Sequence, residues 1–153
     1  MTVYFVQHGK SVPKEENPDR PLSDIGAKEV EEIATLLREN NVKVNIIFHS
    51  NKLRAVQTAD IIQKHLNASQ GIKEKPGMNP MDNVRLFAKE IEKNEDTMYV
   101  SHLPFLEKLI SFLITGDEDK VVLKFQNAGV VKLQFSTEDY HWYITGTLLP
   151  KPI

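Results

Sequence analysis

The chain has 153 residues, of which 41% are hydrophobic and 26% charged, and its formal net charge at pH 7 is −2. This length suits a single domain with its own core, so we expect one domain over residues 1–153. The slightly acidic balance offers no basic excess for binding phosphate backbones, which argues against a protein that binds nucleic acid.

The chain contains no cysteine, which excludes disulfides, thiolate metal ligands and a cysteine nucleophile. No stretch reaches the ~18 apolar residues that a membrane span needs. The first residues already have the composition of a strand, without the basic and apolar regions of a signal peptide. We therefore expect a cytoplasmic protein that associates with no membrane.

Apolar runs alternate with stretches of helical spacing over the first three quarters of the chain. In the first half of the chain, the pattern predicts a strand over residues 3–6, a loop over 10–21, a helix from 23–24 to 40–41, a strand over 44–48 and a helix after Ser50 that reaches Leu66. It then predicts a short strand within 71–75, a helix after 82, a strand over 97–100 and a helix over 104–115. Prolines at 13, 18 and 21 keep the first loop free of regular structure.

The last third of the chain has the alternation of a β-hairpin. Apolar Val131, Leu133 and Phe135 alternate with polar residues, and strand-forming residues return over 140–147 after a polar turn. Together with the earlier elements, this order predicts the α/β class. We expect a three-layer α/β/α fold with a mostly parallel central sheet and a C-terminal antiparallel hairpin at its edge.

Histidines follow three of the predicted strands at the point where each strand ends. They are His8, His49 and His102. The carboxyl ends of parallel strands lie at one edge of the sheet, and that edge is where such folds bind ligands. His8 is our candidate nucleophile, with His102 as its partner. A metal site formed by all three histidines is an alternative, although no H-x-x-x-H pair supports it.

Arg54 lies in or near the first turn of the second predicted helix. A cation at this end opposes the helix macrodipole, at a cost of a few tenths of a kcal/mol. The position makes sense if an anion binds there, because amide groups and a guanidinium together form a phosphate site. The alternative is that the side chain extends into solvent and binds nothing.

Four motifs together resemble the histidine phosphatase superfamily, also called phosphoglycerate mutase-like. They are Gln7-His8-Gly9 after the first strand, Arg20-Pro21-Leu22-Ser23-Asp24-Ile25-Gly26 before the first helix, Ser50-x-x-x-Arg54-Ala55-x-Gln57-Thr58-Ala59, and Ser101-His102 after a late strand. The short chain and the Ser-His-Leu-Pro segment are most similar to the small phosphohistidine phosphatases of the SixA type. The resemblance spans residue 3 to about residue 135.

The resemblance implies a phosphoglycerate mutase-like fold and a role for each matching residue. His8 would attack phosphorus and become phosphohistidine, and His102 would donate a hydrogen bond to a phosphoryl oxygen. Arg54 would bind the phosphate, Gly9 would let the backbone turn closely beside it, and Arg20 could add a further contact. No cofactor or metal is required, since phosphoryl transfer needs mainly positioning and charge neutralisation.

The chain departs from the superfamily at position 7. The motif arginine, a principal phosphate ligand, is replaced by Gln7, which is neutral. In one interpretation Lys10 or Arg20 supplies the missing charge, so the protein remains an active phosphatase. In the other, the protein is a weakened or inactive domain that only binds phosphate or phosphoproteins.

The candidate general acid is also missing. Leu103-Pro104 follows His102, where larger members of the superfamily have an acidic residue. Asp82 and Glu74 lie nearby in sequence, but Asp82 could equally cap the third helix. Phosphohistidine tolerates the absence of an acid because its P–N bond is labile once protonated. No long insertion covers the site, so we expect it to be shallow and open. An open site favours a phosphorylated protein as substrate over a small phosphoester. We expect phosphate or sulfate to bind there as simple ligands.

Overall fold

The structure is a computed structural model that describes residues 1–150. Within these residues the elements are, in order, β1 (Thr2–Gln7), α1 (Asp24–Glu39), β2 (Ile46–His49), α2 (Leu53–Leu66), β3 (Ile72–Glu74), α3 (Val84–Ala88), β4 (Thr97–Ser101), α4 (Phe105–Thr115), β5 (Val130–Ser136) and β6 (His141–Leu148). Within this part of the chain, no helix has both the length and the apolar composition that crossing a membrane requires.

The strands form one sheet in the order β3-β2-β4-β1-β5-β6. β1 pairs with β4, and β2 pairs with both β3 and β4, all in parallel. β5 pairs with β1 and β6 in antiparallel fashion. The mostly parallel sheet and the hairpin at its edge are therefore confirmed.

Helices cover both faces of this sheet. Alternate residues of β1 point to opposite sides, as the pleat requires. Tyr4 and Val6 pack with the apolar residues of α1 and α2, whereas Val3 and Phe5 pack with those of α3 and α4. This arrangement is the predicted three-layer α/β/α fold.

The sequence offers Ser50 and Asp82 as possible helix caps, and neither of them caps a helix. Asn83, rather than Asp82, caps α3, because its side-chain oxygen accepts hydrogen bonds from the amides of the first turn. Asp82 instead accepts a hydrogen bond from the amide of Asn79. At α2 the N-cap is Lys52, which makes no side-chain capping bond, and Ser50 lies outside the helix. Neither the Asp82 side chain nor the Ser50 side chain therefore caps the helix that follows it.

Two element boundaries also differ from the prediction. β2 is shifted towards the carboxyl end, so His49 is its last residue instead of following it. α3 is a single short helix that ends at Ala88 and does not reach Ile91, whose side chain still packs into the core. These shifts leave the carboxyl edge of the sheet as predicted.

Candidate active site

The carboxyl ends of β1, β4 and β2 bring the three predicted histidines to one edge of the sheet. Gln7 is paired with Ser101 and His49 with Val100, so His102 lies between the ends of the other two strands. The rings of His8 and His102 face each other at 4.9 Å between centroids and are tilted by 56°.

His49 makes a different contact and is not part of this ring pair. Its Nδ1 lies 2.8 Å from the carbonyl oxygen of Ser50. Within residues 1–150, no three histidine or acidic side chains are arranged to hold a metal ion. The alternative of a three-histidine metal site therefore has no geometric support.

His8 has a fixed tautomer. Its Nδ1 lies 2.7 Å from the carbonyl oxygen of Gly9, which only accepts, so Nδ1 is protonated and Nε2 has the lone pair. Arg54 Nε donates to that Nε2 across 3.3 Å, in agreement with this tautomer. Burial lowers the pKa of His8 to about 4, and the charges of Arg54 and Arg20 act in the same direction. The imidazole is therefore neutral, and its nucleophilic nitrogen is beside a guanidinium.

His102 contacts Ser50 through its Nε2. Ser50 Oγ lies 2.6 Å from His102 Nε2 and accepts a hydrogen bond from the amide of Lys52 at 3.3 Å. When the hydroxyl donates to Nε2, the proton of His102 lies on Nδ1. That Nδ1 is buried and has no hydrogen-bond partner within residues 1–150. In this tautomer it is a donor that could serve a bound anion beside the His8 ring.

His102 is more deeply buried than His8, with exposed fractions of 1% and 8%. Burial lowers the pKa of His102 to about 3, followed in effect by His8, Arg54, Lys52 and Arg20. Only a small part of either ring is therefore accessible to a phosphoryl group.

The first two turns of α2 hold the site together. Thr58 Oγ1 accepts a hydrogen bond from the amide of Gly9 at 3.0 Å and donates to the carbonyl of Arg54 at 2.8 Å. Gln57 Oε1 accepts from the amide of Leu22 at 2.7 Å. The Arg-Ala-x-Gln-Thr motif thus connects α2 to the turn after His8 and to the loop that contains Arg20.

Arg20 lies within electrostatic range of the site. Its charge contributes to lowering the pKa of both site histidines and of Arg54. Its backbone has a φ of 48°, a left-handed conformation that costs on the order of 1–3 kcal/mol outside glycine. One guanidinium nitrogen donates to Ser11 Oγ at 3.0 Å, and its Nε is buried without a partner in residues 1–150. Arg20 thus has donors available for a bound anion.

The structure gives Lys10 no comparable place. Its carbonyl accepts a hydrogen bond from the amide of Ser23 at 2.9 Å, which holds its backbone against the start of α1. Its side chain is exposed, and its charge is not among those that act on His8 or His102. Of the two cations considered as substitutes for the motif arginine, the geometry favours Arg20.

Gln7 and Gly9 flank the His8 ring along the chain. Gln7 is buried, and its Oε1 has no hydrogen-bond partner within residues 1–150. The amide of Gly9 is already bonded to Thr58, so Gly9 acts through His8 rather than through a free donor. A Cβ at Gly9 would lie 2.6 Å from Val30 Cγ2, which explains why this turn has no side chain.

Within residues 1–150, the site contains three cations and no carboxylate. Arg20, Lys52 and Arg54 form no salt bridge with any carboxylate of residues 1–150. Neither Asp82 nor Glu74 is among the groups that shift the pKa of the two histidines. Such a site favours a multiply charged anion and offers no strong acid. Sequence reasoning missed Lys52, although its place two residues before Arg54 was a usable signal.

The lowered histidine pKa values predict a loss of stability in acid. Below pH 6.5 the unfolded chain binds protons on His8 and His102, whereas the folded chain binds them only near pH 4 and 3. The free energy of unfolding should therefore fall between pH 6.5 and 4. Urea unfolding at pH 7 and pH 5 measures this fall. The fall in the free energy of unfolding should be smaller in His102→Asn than in the native protein. An equal fall in the variant and the native protein would contradict a lowered pKa for His102.

Comparisons with known proteins agree with the fold. The E. coli K12 phosphohistidine phosphatase SixA is 24% identical over 151 residues, which cover 95% of this chain and 94% of that protein. A solved structure of the protein histidine phosphatase SixA complexed with tungstate has a TM-score of 0.83 at 21% identity, covering 98% of this chain and 97% of that one. A putative SixA from Agrobacterium tumefaciens has a TM-score of 0.79 at 24% identity, covering 97% of each chain.

The phosphoglycerate mutase of Bacillus anthracis also has this fold, with a TM-score of 0.71 at 16% identity over 95% of this chain and 91% of that one. The predicted phosphoglycerate mutase-like fold and the likeness to SixA are thus confirmed. The family model of the histidine phosphatase superfamily (branch 1) matches residues 3–86, more than half of the chain. The chain belongs to the histidine phosphatase superfamily.

Proposed function

We propose that this protein is a phosphatase that removes phosphate from phosphohistidine of a protein through a phosphorylated His8. One observation is central to the proposal: the Nε2 lone pair of His8 lies 3.3 Å from Arg54 Nε, while Nδ1 is held by Gly9. A neutral, oriented imidazole beside a guanidinium is what a nucleophile for an anionic phosphoryl group needs.

The reaction has two steps. In the first, His8 Nε2 attacks phosphorus and the P–N bond to the substrate imidazole breaks, with that imidazole leaving as it takes a proton from solvent. In the second, water attacks phosphorus, the bond to His8 breaks, and inorganic phosphate leaves. Arg54 and Arg20 neutralise the phosphoryl oxygens, and His102 Nδ1–H donates to one of them. The proton that water loses passes to solvent or phosphate.

The absence of a carboxylate from the site supports phosphohistidine as substrate. An alkyl leaving group needs a positioned acid, which typically contributes about 10²–10⁴-fold. Asp82 is exposed and bonded to Asn79, so it is not placed as such an acid. An imidazole leaving group is protonated by solvent and needs less help. The SixA relative is a phosphohistidine phosphatase, which supports the same substrate class for this protein.

We expect a marked preference for phosphohistidine. A protein phosphorylated on histidine should be hydrolysed with kcat/KM at least about 10²-fold higher than phosphoserine, because only phosphoserine requires the missing acid. Release of inorganic phosphate from both substrates, measured in the presence of EDTA, tests this. Equal turnover of phosphoserine would overturn the substrate assignment. Turnover that requires added metal would overturn the mechanism.

A domain that only binds phosphate or phosphoproteins is the second candidate. It is favoured by Gln7, which removes a charged phosphate ligand from the motif. The placement of Arg20 near both histidines weighs against it. Phosphate binding that Arg54→Met abolishes, in a protein with no turnover of any phosphorylated substrate, would favour this second candidate.

A further inference from the structure

Lys52 lies between the two residues that contact the site histidines. Ser50 Oγ is 2.6 Å from His102 Nε2, and Arg54 Nε is 3.3 Å from His8 Nε2. The amide of Lys52 donates to Ser50 Oγ at 3.3 Å, and its carbonyl accepts from the amides of Ala55 and Val56 at 3.0 Å. Its backbone is thus fixed next to Ser50, which contacts His102, while its side chain is exposed.

The charge of Lys52 is unfavourable for the isolated helix. It occupies the N-cap of α2, where the macrodipole is positive, without a side-chain capping bond, and the first turn of α2 has no acidic residue. It forms no salt bridge with a carboxylate of residues 1–150. Nothing within the described chain therefore compensates this ammonium, and an anion would.

The ammonium acts on the histidine whose donor is free. After burial, His8 and Arg54, Lys52 is the next cause of the lowered pKa of His102, and its effect exceeds that of Arg20. The same histidine has the buried, unpartnered Nδ1. The Nδ1 of His102 and the ammonium of Lys52 are thus two groups without partners, one neutral and one charged, on the same side of the site.

The neutral Gln7 lies on the other flank of this histidine. Gln7 is paired with Ser101, the residue before His102, whereas β2 and the loop that contains Lys52 follow on the opposite side of β4. At these two positions, His102 therefore has a neutral amide on its β1 side and an ammonium on its β2 side. A phosphoryl group beside His102 would be within the influence of both.

We propose that Lys52 binds the phosphoryl group on the His102 side of the site and supplies the positive charge that Gln7 lacks. This proposal rests on the proposed function and assigns a specific substrate contact to a residue outside the motifs. Because the ammonium is exposed on a flexible stem, it adjusts to the bound group rather than fixing its orientation, as the guanidinium of Arg54 does.

A double-mutant cycle tests the compensation. With a histidine-phosphorylated protein as substrate, Lys52→Met should lower kcat/KM about tenfold, the lower end of what a charge-assisted hydrogen bond provides. In the Gln7→Arg background the same change should cost about threefold or less, because the restored arginine takes over the charge. Lys52→Arg should retain most of the activity in either background.

The control and a second measurement separate this proposal from the proposed function. Lys64→Met, at the far end of α2, should leave kcat/KM unchanged, and Lys52→Met should not lower the melting temperature, since its charge opposes the helix dipole. Equal losses in both backgrounds, or no loss, would overturn the proposal alone. If no variant turns over, calorimetry with tungstate decides: about tenfold weaker binding by Lys52→Met supports the contact, and unchanged binding overturns it.

Discussion

Replacing His8 with alanine is expected to lower kcat for a histidine-phosphorylated substrate by about 10⁴-fold or more, the scale on which removal of a covalent nucleophile acts. The other site residues only position and neutralise the phosphoryl group, so none of them can form the covalent bond. His102 is a poor substitute, because its Nε2 is engaged by Ser50 Oγ at 2.6 Å and so is not free to attack phosphorus. Phosphate release at saturating substrate measures the loss.

A covalent intermediate should disappear in the same variant. Rapid quenching of the native protein with labelled substrate should trap an alkali-stable, acid-labile phosphoprotein, and His8→Ala should form none. His141→Ala, in the outer strand of the hairpin, is the matched control and should keep both signals. If His8→Ala does not fold, His8→Asn serves instead, because an amide replaces the ring with less loss of volume. A trapped phosphoenzyme in either folded variant would refute the assignment of His8.

The position of His8 was predictable because it follows from the apolar pattern of β1 and from the topology of parallel sheets. The apolar run of β1 ends at a polar residue, and parallel neighbours with right-handed connections must place their carboxyl ends together. The same rules placed His102. They also placed His49, whose side chain is directed to Ser50 instead. Topology therefore identifies the edge of the sheet, while the partner of each ring depends on contacts between distant segments.

Residues that act through such distant contacts were not predictable from the sequence. Ser50 has the local pattern of a helix cap, but its hydroxyl lies 2.6 Å from a histidine more than fifty positions away. Arg20 has a left-handed backbone that only the surrounding loop imposes. The short helix α3 shows the same limit, because Asn83 and Asp82 are both good caps locally. The turn around Asn79 decides between them.

Replacing Arg54 with methionine is expected to lower kcat/KM for the same substrate by about 10³-fold, the upper end of the cost of losing one charged donor to a developing anion. The upper end applies because Arg54 Nε also lies 3.3 Å from the His8 nitrogen that attacks. Methionine retains most of the aliphatic volume, and the backbone carbonyl that holds Thr58 is unaffected. Steady-state kinetics measure the loss of kcat/KM, and calorimetry with inorganic phosphate measures the loss of phosphate affinity.

The nature of the Arg54 contact follows from a comparison of three variants. Arg54→Lys keeps a positive charge but loses the planar fork that binds two oxygens at once, so it should recover phosphate binding more than kcat. Arg38→Met, on the exposed face of α1, should change neither.

Removal of the Arg54 guanidinium should also raise the pKa of His8 towards its ordinary value, because Arg54 is one cause of its lowering. The acid limb of the kcat/KM profile would then move to higher pH in Arg54→Met and to a lesser extent in Arg54→Lys. An Arg54→Met protein with unchanged kcat/KM and unchanged phosphate affinity would show that Arg54 only supports the fold, and the role of principal phosphate ligand would then pass to Arg20.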